Sequence, residues 1–214
     1  MRKTFLKVGV CLIAVMALVS CGGGNSSSLP KTVDFKMLSN KEEVQKIYDE
    51  ILTRYGENLL AKTDEVKIFI ERRSKEGMIK KASEPDAITI WVDTQDPKNV
   101  KQLLRNGYYS DWNGEAGWRA PEQMEVQVSG DAENFRLDDH LFNFKEKVSF
   151  DTFFKVLTDA YNKALDADKY TYQYIKYITI SQEGYSIDVF GILSANDQEK
   201  SQYFKADFDG KFKK

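Results

Sequence analysis

An α+β fold with a mostly antiparallel sheet, packed by two main helices, is predicted by three observations. Segments 41–55 and 149–165 carry apolar residues at helical spacing. Several other segments alternate apolar and polar residues, as half-buried strands do. Short polar turns such as Glu183-Gly184 and Asn196-Asp197 join successive strands into a meander. With 42% hydrophobic residues the 214-residue chain can build a core, and 13 Gly and 4 Pro are too few for a disordered one.

The elements follow in order. In 41–55, Val44, Ile47, Tyr48, Ile51, Leu52 and Tyr55 form one stripe. A capping box of Ser39 with Glu42, or Asn40 with Glu43, starts this helix, and Gly56 is placed to end it. Strands are expected at 66–70 and 87–92, where Ile88, Ile90 and Val92 share one face and Thr89 and Trp91 the other. A short strand is expected between them at 78–81. Asp96-Pro97 predicts a helix over 97–105, with Val100, Leu103 and Leu104 inward and Pro at its first position. The stretch 106–118, NGYYSDWNGEAGW, reads as a loop. A strand at 122–128 then pairs with 135–144 across Gly130-Asp131.

Ser149 caps the second helix, and Asp151 suits the positive end of its dipole. Strands at 170–181, 185–193 and 203–208 complete the chain. The broken alternation at Phe190-Gly191 predicts a bulge. The order helix, strand, strand, strand occurs in 41–93 and again in 150–209. This tandem α-βββ arrangement is similar to helix-plus-meander proteins such as the beta-lactamase inhibitor protein and PepSY-like modules. The similarity concerns architecture, carries no family motif, and implies nothing about activity.

The first twenty residues lie outside the predicted body. Arg2, Lys3 and Lys7 precede an apolar run, 8–19, that is short for a membrane span of about 20 residues. A secretory signal is expected over 1–20. Leu18-Val19-Ser20-Cys21 resembles the lipobox of bacterial lipoproteins. The resemblance implies cleavage before Cys21, a lipid on that cysteine, and a membrane partner reached through the anchor. Residues 21–32, rich in Gly and Ser, then act as a flexible tether, and 33–214 form the body, with halves 33–105 and 121–214. Gly22, where an Asp would signal inner-membrane retention, points to the outer membrane, periplasmic face, or to the cell surface.

Cleavage would leave no free thiol, because Cys11 leaves and Cys21 is acylated. Removing Arg2, Lys3 and Lys7 from 31 basic residues leaves 28 against 33 acids, a net charge near −5. That balance argues against a nucleic-acid partner. No P-loop, GxGxxG or GxSxG stands in the sequence, and no cofactor is implied. The single His140, in RLDDHLFNF, is expected to be a polar edge-strand residue. Asp93, Asp96, Asp111 and Glu115 could supply oxygen ligands to calcium, but the EF-hand spacing is absent.

Candidate contact residues are aromatic. Tyr108, Tyr109, Trp112 and Trp118 either plug the end of the core or form a recognition surface. Tyr170, Tyr172, Tyr174 and Tyr177 either pack under the second helix or face a ligand. The leading expectation is a lipid-anchored, non-enzymatic binding or assembly module for an envelope protein or glycan. The alternatives are a carboxylate-based hydrolase of envelope polymer and a structural lipoprotein without ligand.

Overall fold

The computed structural model describes residues 27, 29, 33–72, 86–112, 115–126 and 135–213, the side chains of 57, 58 and 112 excepted. The expected signal 1–20, Cys21, the strand at 78–81 and the turn Gly130-Asp131 lie outside the described residues.

One antiparallel sheet organises the body. Its strands are β1 (Thr63–Glu71), β2 (Ala87–Asp96), β3 (Asn99–Trp112), β4 (Glu115–Trp118), β5 (Glu122–Met124), β6 (Tyr170–Ser181), β7 (Gly184–Leu193) and β8 (Glu199–Ala206). The order is β4-β3-β2-β1-β6-β7-β8, with β5 also pairing β3. Helices α1 (Lys41–Leu60), α2 (Phe144–Lys147) and α3 (Phe150–Ala164) complete the body.

Residues paired across the strands share a face. Trp118, Tyr108, Ile90, Ile68, Ile178 and Ile187 therefore form one apolar row across six strands. All six are 1% exposed or less. On this side α1 buries Val44, Ile47, Ile51 and Tyr55, and α3 buries Phe153, Val156, Leu157 and Ala160. Each such side chain contributes about 1.5–3 kcal/mol by leaving water. The two helix stripes read from the sequence are thus the lid of the core, although Leu165 is 49% exposed.

The caps are local. Asn40 Oδ1 accepts from the backbone N–H of Glu42 at 2.9 Å and of Glu43 at 3.3 Å. Ser149 Oγ accepts from Thr152 N at 3.2 Å. Gly56, at φ +57°, breaks α1 where the sequence expected its end, and the helix resumes to Leu60.

Three expectations are corrected. Residues 97–105 are not a helix: Asp96 and Asn99 pair across a tight turn, and β3 runs from Asn99 to Trp112. Pro97 fits such a turn as well as a helix start. Residues 135–144 are not a strand: Leu137–His140 form a 3-10 turn and Phe144 opens α2. Only Phe142 bridges the sheet there, exchanging backbone hydrogen bonds with Thr63 at 2.8 and 3.0 Å. The register against β7 shifts between Tyr170 and Tyr172 and between Ile175 and Tyr177, so the irregularities lie in β6, while β7 pairs β8 evenly through Phe190 and Gly191.

Leu29 is 6% exposed within the core cluster, and Val33 bridges Asp86. The body therefore begins to take hold of the chain before residue 33.

Candidate functional site

Where the sequence predicted a loop, β3 and β4 pair antiparallel, and alternation along β3 separates its aromatics. Tyr108 and Trp118 face the helices and are each 1% exposed. Trp118 meets Tyr55 edge-on with ring centroids 5.4 Å apart, and its Nε1 donates to Glu50 Oε1 at 2.9 Å. The Arg54 guanidinium lies 4.9 Å from its ring centre. Burial, then the Glu50 charge, pushes the Tyr108 hydroxyl up to about 12. These two side chains plug the core under α1 and leave a ligand no surface to touch. Tyr109 points to the opposite face and is half-buried. The Trp112 side chain lies outside the described residues.

That opposite face is the candidate site. Among the described residues, the helices contact the sheet from the core side only. The open side carries Tyr109, Thr89, Phe69, Tyr177, Asp188 and Tyr203 as one cross-strand row, with Gly107, Trp91, Lys67, Thr179, Ser186 and Lys205 as the next. Its aromatics touch in series. Phe69 stacks on Tyr177 at 5.7 Å and meets Trp91 edge-on at 5.2 Å. Trp91 Nε1 donates to the Tyr109 hydroxyl at 3.1 Å. Tyr203, on the edge strand β8, is 77% exposed.

Gly107 makes the first part of this chain possible. The Tyr109 ring lies across it, and a Cβ on Gly107 would stand 2.8 Å from Tyr109 Cε2. Asp93, 2% exposed, accepts a two-pronged contact from Arg105 at 2.7 and 2.9 Å. The guanidinium then covers Trp91 at 4.1 Å. Asp96 instead holds the hairpin turn, accepting from Lys98 N at 2.8 Å. Asp93 and Asp96 are thus committed to an ion pair and a turn, not to a shared cation.

Toward β8 the face dips into a groove of about 410 Å³, lined by Tyr177, Thr179, Ser186, Asp188, Tyr203 and two flanking lysines, Lys176 and Lys205. Asp188 is 9% exposed. Its Oδ2 accepts from Ser201 Oγ at 3.1 Å, while Oδ1 is closed to solvent and has no hydrogen-bond partner. Such an oxygen costs about 1–3 kcal/mol until a donor reaches it. Burial raises the Asp188 pKa, against the opposing effects of Ser201 and Lys176.

A second, smaller groove of about 250 Å³ is lined by Asp64, Glu65, His140, Ser181 and Glu183. Burial, with Glu65 and Asp93 adding repulsion, pushes Asp64 up to about 6. His140 stacks on Phe135 at 4.9 Å and belongs to the 3-10 turn, not to a strand. Among the described residues, no cluster of three or more His, Cys, Asp or Glu is arranged to hold a metal.

The tyrosines of β6 differ in burial. Tyr174 pairs with Phe190, two residues from Asp188 on β7 and so on the Asp188 side of the sheet. It is 2% exposed, edge-on to Phe35 and Phe190 at 5.5 and 5.6 Å, whereas Tyr177 is half-buried. Tyr177 was a sequence candidate, but Phe69, Trp91 and Tyr203 were not. Their signal was an aromatic on the side of each strand that alternation assigns to solvent. No protein-family model matches the chain, and no curated protein or solved structure does either.

Proposed function

We propose that the chain is a lipid-anchored binding or assembly module of a bacterial envelope, and that it meets a protein or glycan partner through the open face of its sheet. The observation that carries this reading is the aromatic series Tyr109, Trp91, Phe69, Tyr177 and Tyr203 on a face that the described helices leave uncovered. Aromatic side chains of this kind are enriched where proteins bind. The lipobox-like Leu18-Val19-Ser20-Cys21 supplies the anchor in this reading, with placement at the outer membrane. We also read the body as two α-βββ units. In support, β3-β2-β1 and β6-β7-β8 are meanders that meet at the β1–β6 pair, and α1 and α3 precede them.

The test places a photo-cross-linking amino acid at Tyr203 and, as a control, at the exposed Lys155 on α3, in cells making the full chain. The expected result is a discrete adduct from position 203 and none from 155. Absence of any adduct from 203, and from Tyr177 in a repeat, counts against the open face.

A carboxylate-based hydrolase is a second reading, favoured by one observation: the raised pKa of Asp64 beside Glu65 in the smaller groove. Release of soluble fragments from cell-wall polymer, abolished by Asp64→Asn, would establish it over the binding reading.

A further inference from the structure

We propose that the groove between β6, β7 and β8 is a subsite for an uncharged pyranose unit of a glycan; this rests on the open face being the binding surface. Tyr177, Asp188 and Tyr203 are consecutive cross-strand partners in one row. Two phenol rings thus flank one carboxylate, with Thr179 and Ser186 on the neighbouring row. The groove, about 410 Å³, falls in the range of about 300–1,000 Å³ that small-molecule sites occupy.

Charge selects the ligand class. The carboxylate in the groove repels an anion. Lys176 and Lys205 at its sides repel a cationic side chain. A neutral ligand rich in hydroxyls meets neither barrier. A pyranose offers an apolar C–H face to Tyr177 and Tyr203, and hydroxyl donors to the carboxylate.

Asp188 supplies the second, independent observation. It is nine-tenths buried, and Oδ1 has no donor, although Oδ2 is satisfied by Ser201. A ligand hydroxyl would supply that missing donor. Tyr203, the cross-strand partner of Asp188, is 77% exposed at the edge of the groove. Its exposure also makes it the safer site for substitution.

The full chain, lipidated and held in detergent, is titrated with chitohexaose and with maltohexaose, and binding is read by calorimetry. Saturable binding of at least one hexaose is expected, weakened about tenfold or more by Tyr203→Ala and by Asp188→Asn, and unchanged by Lys155→Ala. Circular dichroism checks each variant; should Asp188→Asn fail to fold, Tyr203→Ala decides alone. No saturable binding of either hexaose overturns the proposal, as does equal affinity in wild type and Tyr203→Ala. If neither hexaose binds while position 203 cross-links to a protein, the saccharide subsite falls and the open-face reading stands. If both measurements are blank, both fall.

Discussion

Trp118 donates its indole N–H to Glu50 across 2.9 Å, and so fastens the far edge of the sheet to α1. The two residues are 68 positions apart in sequence. The contact turns a pair of aromatic candidates into core, because Tyr108 and Tyr55 pack against the same ring. Trp118→Ala should destabilise the body by about 3–5 kcal/mol. Trp118→Phe, which keeps an aromatic ring but loses the N–H and part of the indole's bulk, should cost less. Denaturant unfolding measures both, and a shift below about 1 kcal/mol for the alanine variant would show that the ring is not core.

Gly107 and Tyr109 depend on each other. Gly107→Ala should push the Tyr109 ring from its place and break its bond with Trp91, costing about 1–3 kcal/mol. In a Tyr109→Ala background the same change should be nearly silent, since the obstacle is then the missing ring. A double-mutant cycle by thermal unfolding reads the coupling. Strict additivity would contradict the geometry.

Asp93 is buried with Arg105 as its ion-pair partner, and Arg105 in turn covers Trp91. Asp93→Ala should therefore cost about 3 kcal/mol, as does breaking a buried pair. Trp91 fluorescence should change as well, because the guanidinium loses its hold over the ring. An unaltered emission spectrum in a folded variant would argue that Arg105 is positioned by something else.

Asp64 gives the protein a pH signature. Its folded pKa is about 6 against an ordinary 3.8. Between those values the folded state keeps a proton that the unfolded state has released. Stability is then greatest below about pH 4 for this group and falls as pH rises toward 6. Asp188, raised in the same direction by burial, adds to the trend. With its partial exposure, the loss from Asp64 should be about 1–2 kcal/mol. Melting temperatures of wild type and Asp64→Asn between pH 4 and about pH 7 test this; parallel curves would remove Asp64 as the source.

Cys21 carries the predicted anchor. Cys21→Ser should abolish labelling with a fatty-acid analogue and move the protein from the membrane pellet to the soluble fraction. Labelling that survives the substitution would place the lipid elsewhere or remove it from the account.

Local chemistry determined much of this protein from sequence alone. Helical spacing fixed the buried stripes of α1 and α3, and short polar side chains at Asn40 and Ser149 set their starts. Alternation did the same for β1 and for the Ile88–Val92 run of β2, because a period of two admits few other conformations; β6 departs from it at its two register shifts. The tertiary structure decided where local signals were balanced. Val100, Leu103 and Leu104 fit a helix, yet 99–112 is a strand, because pairing with β2 on one side and with β4 and β5 on the other satisfies its backbone. That pairing also gave the adjacent Tyr108 and Tyr109 opposite fates, one under α1 and one on the open face. The open aromatic face itself belongs to no single segment. Phe69, Trp91, Tyr177 and Tyr203 come from four strands, and only the register of the sheet brings them to one side.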